Sequence, residues 1–245
     1  MLDFHSHLIP GIDDGSQDIS MSVGMLDMWK EQGVDLVCAT PHFYADSNSP
    51  DRFLEKRDTA YASLKNALKN TPGGPEAYPP ILLGAEVYYY RGLSACEDLR
   101  RFCLQGTRLL LVEMPFQDWS DYMIREISEI RDMGLYPVAA HIERYIKDQP
   151  KGKIQDLMDT GILIQCNASF FLNPKTRKKA FRMLSDETID FIGSDAHNLT
   201  TRAPNMRPAV DAIEKKLGSD ALKHIRRNEK LICEAYGKYL ERGNA

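Results

Sequence analysis

The stretch Ser20–His42, SMSVGMLDMWKEQGVDLVCATPH, holds in one span the unit from which the rest of the chain is read. Met21, Met25, Met28 and Trp29 recur on one helical face, and the pattern stops at Gly33, a residue suited to the left-handed turn that closes a helix. A short apolar run, Asp35–Ala39, follows at once and reads as a strand. At its exit stand Thr40, Pro41 and His42. Helix, glycine, strand and a polar residue past the strand end make one αβ step.

The step recurs along the chain. Tyr122–Met133 stops at Gly134 before a strand at Tyr136–Ala140, and Lys151–Thr160 stops at Gly161 before one at Ile162–Cys166. Further strands are predicted at Leu2–Phe4, Ile81–Ala85, Leu109–Glu113 and Ile189–Gly193. A further helix is predicted at Arg52–Asn70, with Phe53, Ala60, Leu64 and Leu68 on its apolar side. Repeated joins of this kind favour parallel strands with right-handed crossovers. With about seven such units, an α/β fold curled into a closed or distorted barrel is favoured over an open sheet. The Pro- and Gly-rich segment Asn70–Pro80 is expected to be irregular. The tail Pro208–Arg242 is expected to be an amphipathic helix packed on the outside. No repeat, low-complexity tract or linker interrupts the chain, so residues 1–245 read as a single domain.

Composition narrows the function classes. The 245 residues are 43% hydrophobic and 27% charged, ordinary for a globular protein, and the net charge of −4 gives no footprint for bulk nucleic-acid binding. No apolar run approaches the roughly 18 residues that span a bilayer, and the N-terminus lacks the pattern of a signal peptide. Cys38, Cys96, Cys103, Cys166 and Cys233 are odd in number and widely spaced, as reduced thiols would be, which favours the cytoplasm. Cys38 and Cys166 lie in apolar strand runs and are expected to be buried and inert.

The chemistry gathers at strand ends. Of six histidines, His5, His7, His42, His141 and His197 fall at or just past a predicted strand; only His224 lies in a helix, where it is taken as a surface residue. Glu86, Glu113 and Asp195 occupy the equivalent place on other strands, and Asp14 sits in the turn after the first histidine pair. In a barrel of parallel strands these ends share one face. So many imidazoles and carboxylates converging there demand compensating cations. Mixed nitrogen and oxygen donors suit manganese, iron or zinc better than calcium.

DFHSH (Asp3–His7), GIDDGS (Gly11–Ser16), ATPH (Ala39–His42), GAE (Gly84–Glu86), AHIER (Ala140–Arg144) and GSDAHN (Gly193–Asn198) together resemble the PHP (polymerase and histidinol phosphatase) superfamily. Within it the chain looks like the CpsB/YwqE-type tyrosine-protein phosphatases of bacterial capsule and exopolysaccharide systems, along nearly its whole length. The resemblance implies a distorted (β/α)7 barrel with the metal site at the strand C-terminal face, and three divalent ions, commonly Mn2+. It implies one ion on His5, His7, Glu86 and Asp195. A second would share Glu86 and take Glu113 and His141, and a third would take Asp14, His42 and His197. A water bridging such ions loses its proton near neutral pH and attacks phosphorus in line. His42 and Asp195 thereby count as catalytic as well as metal-binding. Arginine's planar fork suits the phosphoryl oxygens; Arg144 is the first candidate and Arg207 the second, with Arg202 competing for the same role.

The resemblance also implies the substrate, a tyrosine-phosphorylated protein: the tail of a membrane-anchored tyrosine autokinase, this chain itself not entering the membrane. A cysteine-dependent route needs an arginine six residues after the nucleophile, and none of the five cysteines has one. Phe43, Tyr44, Phe116, Trp119, Phe170 and Phe171 are candidates for a slot around a tyrosine ring. Histidinol phosphate or another small phosphomonoester on the same metals is the alternative. A PHP-type exonuclease is disfavoured by the charge balance, and a catalytically empty scaffold by the complete ligand set.

Overall fold

The computed structural model describes residues 1–243. The chain opens with β1 (Leu2–Ser6), then α1 (Ile19–Glu31), β2 (Leu36–Ala39) and the two-residue β3 (His42–Phe43). After α2 (Pro50–Leu68) come β4 (Ile81–Leu83), β5 (Glu86–Tyr88), the single turn α3 (Leu99–Phe102) and β6 (Leu109–Glu113). The αβ steps continue through α4 (Asp121–Asp132), β7 (Tyr136–Ala139), α5 (Lys153–Asp159) and β8 (Leu163–Asn167). Two short helices, α6 (Ala168–Leu172) and α7 (Arg177–Ser185), precede β9 (Phe191–Gly193), and α8 (Met206–Leu217) and α9 (Lys223–Glu241) finish the fold.

Local chemistry sets the helix boundaries. Asp18, Ser49 and Ser120 cap the first backbone amides of α1, α2 and α4. Gly33 lies just past the far end of α1 at φ 68°, and Gly134 and Gly161 repeat it after α4 and α5. The tail predicted as one helix is two, because Gly218 interrupts it at φ 85°. The α2 helix starts two residues before its expected Arg52, at Pro50, whose fixed φ suits a first helical position. Both α6 and α7 lie in a stretch for which no element had been predicted; α6 is one turn long, too short for a period to show.

All strand pairs are parallel. One sheet runs β1-β2-β4 and the other β3-β5-β6-β7-β8-β9. The two are continuous. Gly84 N–H donates to the Ala39 carbonyl at 2.9 Å and Glu86 N–H to that of Pro41 at 3.0 Å, across the breaks between β2 and β3 and between β4 and β5. At the other margin, Asp195 N–H donates to the His5 carbonyl at 2.8 Å and His7 N–H to that of Ala196 at 2.9 Å. The sheet is therefore curled until its last strand meets its first.

One face of the curl carries Phe4, Cys38, Leu82, Leu111, Val138 and Phe191, with Ile232 of α9 packed on them. Phe4 and Phe191 stack at 4.1 Å across the seam. The other face carries residues such as Val37, Leu83, Val112 and Ile164 and packs against the helices. Burying both faces explains why the strands read as continuous apolar runs instead of alternating ones. Cys38 and Cys166 are buried among them, and all five cysteines are free. No described helix is long and apolar enough to cross a membrane.

Candidate metal centre

Several strands lose their regularity where they reach the polar residues. Alternation along β1 puts Leu2 and Phe4 in the apolar face, which assigns His5 to the opposite one. The pairing of β1 with β2 is irregular between Asp3 and Ser6, and His5 turns into the cluster instead. Glu86, an even number of residues past Leu82, keeps the face of Leu82 across the break after β4. His141 and Asp195, past β7 and β9, hold left-handed backbones at φ 33° and 54°, which cost non-glycine residues about 1–3 kcal/mol each. Strain that is kept at such positions serves the aim of the side chain.

Glu86 is the hub. Its Oε2 lies 3.1 Å from His5 Nε2, 3.2 Å from His7 Nε2 and 3.1 Å from His42 Nδ1, while Oε1 lies 2.9 Å from His141 Nε2. Asp195 Oδ1 sits 3.7 Å from His5 and 3.4 Å from His7. Glu113 is 3.5 Å from His141 and 3.6 Å from His42. Asp14, on the open side, lies 3.7 Å from His42 and 3.5 Å from His197. All nine residues expected to bind metal thus meet in one place.

These separations test whether the donors fit divalent ions. Ligands about 2.1 Å from one ion at tetrahedral or octahedral angles stand about 3.0–3.4 Å apart, which is the spacing around Glu86. Tautomers agree. His7 Nδ1 donates to Asp13 at 2.7 Å, His5 Nδ1 to Gln165 at 3.3 Å and His197 Nδ1 to the Asp195 carbonyl at 2.9 Å. Each leaves an Nε2 lone pair aimed inward, and His197 Nε2 is buried with no hydrogen-bond partner at all. Pinning the outer ring nitrogen to an oxygen is how metal-binding histidines are oriented. The residues present fit a cluster of divalent cations.

Proton affinities carry the same message. Burial pushes Glu113 up to about 8, helped by the neighbouring charge of Glu86. Burial opposes a charge on His7, yet Asp13 overcomes it and raises that imidazole well above its usual range. Burial likewise opposes charging His5, and Glu86 and Asp195 raise it nonetheless. His141 and His197 are driven down to about 4 and about 3, chiefly by burial. The carboxylates call for positive charge, and within the histidine cluster the protein supplies it by protonating His5 and His7.

Two arginines close the rim. Arg144 Nη2 pairs with Asp195 Oδ2, and Arg202 Nη2 reaches the same oxygen at 2.7 Å. Both line a pocket of about 300 Å³ together with Glu143, Asn167 and Asn205. Arg207 is not there. It stands in the first turn of α8, paired at 2.8 Å with Asp211 one turn on and lining a different crevice beside Met1 and Gly33. Of the aromatic candidates, Phe43, Trp119, Phe170 and Phe171 are buried, whereas Tyr44 and Phe116 are exposed. Tyr44 lies 5.1 Å from the His42 ring, and Phe116 packs on Tyr145, which neighbours His141 at 5.8 Å. His224, taken as a surface residue, is instead half-buried and bonded to Asp190 at 2.9 Å.

The supporting residues escaped the sequence reading. Asp13, next to the Asp14 that it singled out, orients His7 and accepts from His42 N–H at 2.9 Å. Gln165 accepts from His141 N–H at 2.7 Å, and Asn167 donates to Asp195 at 2.9 Å. Asp3 is buried and accepts from Trp29 Nε1 at 2.6 Å and Ser194 N–H at 2.7 Å, tying α1 and β9 to β1. A polar residue inside an apolar strand run, as at Asp3 and Gln165, was the available signal.

Comparison with known proteins places this arrangement. The family model for capsular polysaccharide synthesis, CpsB/CapC, matches residues 1–233. The chain belongs to that family. It is similar to the tyrosine-protein phosphatase CpsB of Streptococcus pneumoniae, 28% identical with 92% of this chain and 94% of the relative covered. The tyrosine-protein phosphatase YwqE of Bacillus subtilis is 29% identical, with 95% and 91% covered. A chain from crystal structures of YwqE from B. subtilis and CpsB from S. pneumoniae, described as unique metal-dependent tyrosine phosphatases, superposes at a TM-score of 0.80. That match has 26% identity and covers 96% of this chain and 95% of the other. The irregular strand ends around Glu86 therefore sit in a CpsB/CapC fold.

Proposed function

We propose that this chain is a metal-dependent protein-tyrosine phosphatase acting on a phosphoprotein of polysaccharide export, the phosphorylated tail of a membrane-anchored tyrosine autokinase. The observation that carries the reading is Glu86 ringed by His5, His7, His42 and His141 at 2.9–3.2 Å, with two arginines meeting on Asp195 beside it. The names of the CpsB and YwqE relatives supply the substrate class. The hydrogen-bonded breaks within β2/β3 and β4/β5 support counting each pair as one strand, which gives the seven of a (β/α)7 barrel. Five free cysteines favour the cytoplasm.

We assign one ion to His5, His7, Glu86 and Asp195, a second to Glu86, Glu113 and His141, and a third to Asp14, His42 and His197, with manganese the expected metal and iron or zinc the alternatives. Divalent ions there would lower the pKa of a coordinated water toward about 7 and draw charge off the phosphoryl oxygens. The rest is the work of side chains. Asp13 and Gln165 hold His7 and His5 in the tautomer that presents Nε2 inward. Asp195 turns Oδ1 to the histidines and Oδ2 to Arg144, Arg202 and Asn167, so one carboxylate sets the spacing between metal site and guanidinium pair. Arg144 and Arg202 take the phosphoryl oxygens, the part expected of Arg207 passing to Arg202. Tyr44 and Phe116 flank the approach and suit an aromatic ring. A phenolate, whose conjugate acid has a pKa near 10, leaves readily, so no side chain is assigned to protonate it.

The test is hydrolysis of a phosphotyrosine peptide, a phosphoserine peptide and histidinol phosphate by metal-stripped protein resupplied with manganese, iron, zinc or magnesium. Metal-restored activity that prefers phosphotyrosine is expected. Preference for histidinol phosphate would overturn the substrate and keep the metal site, and inactivity with every metal would overturn both.

A further inference from the structure

A second hollow, of about 790 Å³, lies between α6, α7 and α8. Phe171 and Phe181 line it, and Arg177, Lys178, Lys215 and Lys216 stand around it, all four exposed. Four cations around an apolar floor are unexpected on a chain whose net charge is −4. Nor are they neutralised within the fold. Among the described residues the nearby acids are engaged by other partners: Asp211 with Arg207, Glu214 with Arg226 and Asp186 with Arg182. Arg177 and Lys178 also occupy the first turn of α7, where the helix dipole already presents positive potential and favours an anion.

The position of this groove is as informative as its charge. Ser169, Phe170, Asn173 and Thr176 line the pocket that holds Arg144 and Arg202, while Phe171, Arg177 and Lys178 line the groove. The two hollows thus share one wall, the segment 169–178, which includes α6 and the exposed residues Asn173–Lys175. Within that wall, Ser169 and Phe170 of α6 line one hollow and Phe171 and Leu172 the other. A helix is about 10 Å across, so an extended chain at about 3.3 Å per residue passes from one hollow to the other in about three to five residues.

We infer that this groove docks an acidic segment of the protein substrate, four or so residues from the phosphotyrosine held at Arg144 and Arg202. The inference rests on the phosphatase reading above. Charge complementarity selects an acidic polypeptide, the apolar floor selects one with an apolar residue among the acids, and continuity with the arginine pocket makes it part of the same chain as the phosphotyrosine. The groove supplies affinity and selectivity while the metal site does the chemistry.

The test uses the full-length, metal-loaded protein and labelled peptides in which phosphotyrosine is separated by four neutral residues from a Glu-Glu-Phe-Glu run, placed before or after it. A peptide of equal length with a neutral run is the control. Anisotropy should show the acidic run binding about tenfold more tightly in at least one order, with KM lowered to match. Lys178→Glu combined with Lys215→Glu should erase that difference and leave hydrolysis of free phosphotyrosine unchanged. An acidic run that gives no advantage, or an advantage that survives the double reversal, would overturn the inference. So would a groove that instead carries binding to anionic phospholipid vesicles or self-association in sedimentation, with no peptide preference. Anisotropy of an acidic peptide lacking phosphotyrosine is read separately from turnover. Groove binding without turnover of any phosphotyrosine substrate would therefore strike down the phosphatase reading, and turnover without groove binding this inference alone.

Discussion

At the scale of single residues, Asp13 and the two arginines make the sharpest claims. Asp13 touches no expected ion, yet it fixes the His7 ring at 2.7 Å and raises its basicity. Removing such an orienting partner typically weakens metal binding by about 10–100-fold. Asp13→Ala should therefore bind manganese that much more weakly by calorimetry, with the fold intact by circular dichroism. Arg144→Ala and Arg202→Ala should each lower kcat/KM on a phosphotyrosine peptide by about 10²–10³-fold, as expected for a donor aimed at developing charge. Arg207→Ala should stay within about twofold, its surface ion pair contributing little. Sequence spacing placed Arg207 and Arg202 on one loop and had no means of choosing between them. The choice is made by the start of α8 at Met206, which swings Arg207 away toward Asp211.

At the scale of elements, the seam between β9 and β1 sets the ligand geometry. A methyl group on Gly193 would lie 2.6 Å from His5 Cβ and 2.7 Å from His5 N, so the two strands meet only if that side chain is absent. Gly193→Ala should lower stability by about 1–3 kcal/mol, the usual cost of overpacking, and push His5 away from Glu86 and Gln165. Thermal melts and metal content by mass spectrometry check both effects. Gly33→Ala is the matched control: open space surrounds it, so only the left-handed φ of 68° is strained, at about 1 kcal/mol. Melting temperature should fall while metal content holds. The strands were legible because burial on both faces leaves an unbroken apolar run. Leu109–Glu113 was read to the residue. The two-residue β3 and the break after Leu83 were not legible, since strand departures at single polar residues leave no periodic trace.

At the scale of the whole molecule, the centre is a store of opposed charges that a cation balances. Glu113, raised to about 8, and Glu143, raised by burial to about 7, both hold protons in the folded state that the unfolded chain has released. His5 and His7 are raised above 6.5 as well. Folded protein therefore binds more protons than unfolded protein from about pH 6.5 to about pH 8, and its stability falls as pH rises through that window. His141 and His197, lowered to about 4 and about 3, act with the opposite sign but only below 6.5. The metal-free protein should lose melting temperature between pH 6.5 and 8. Manganese should remove that loss, its stabilising shift growing with pH because binding displaces those protons. A metal-free protein whose melting temperature is flat or rising there would contradict the charge assignment.

The meeting of β1 with β9 also has a consequence in time. Residues 5 and 7 leave the ribosome about 190 residues ahead of Asp195 and His197, which complete their surroundings. At roughly 5–20 residues per second that is an interval of about 10–40 seconds. Until it ends, β1 lacks its neighbour on one side, and the cluster around His5 and His7 lacks Asp195. That cluster is thereby completed only once β9 has emerged, so a translation product truncated before it carries His5 and His7 without the surroundings that orient them.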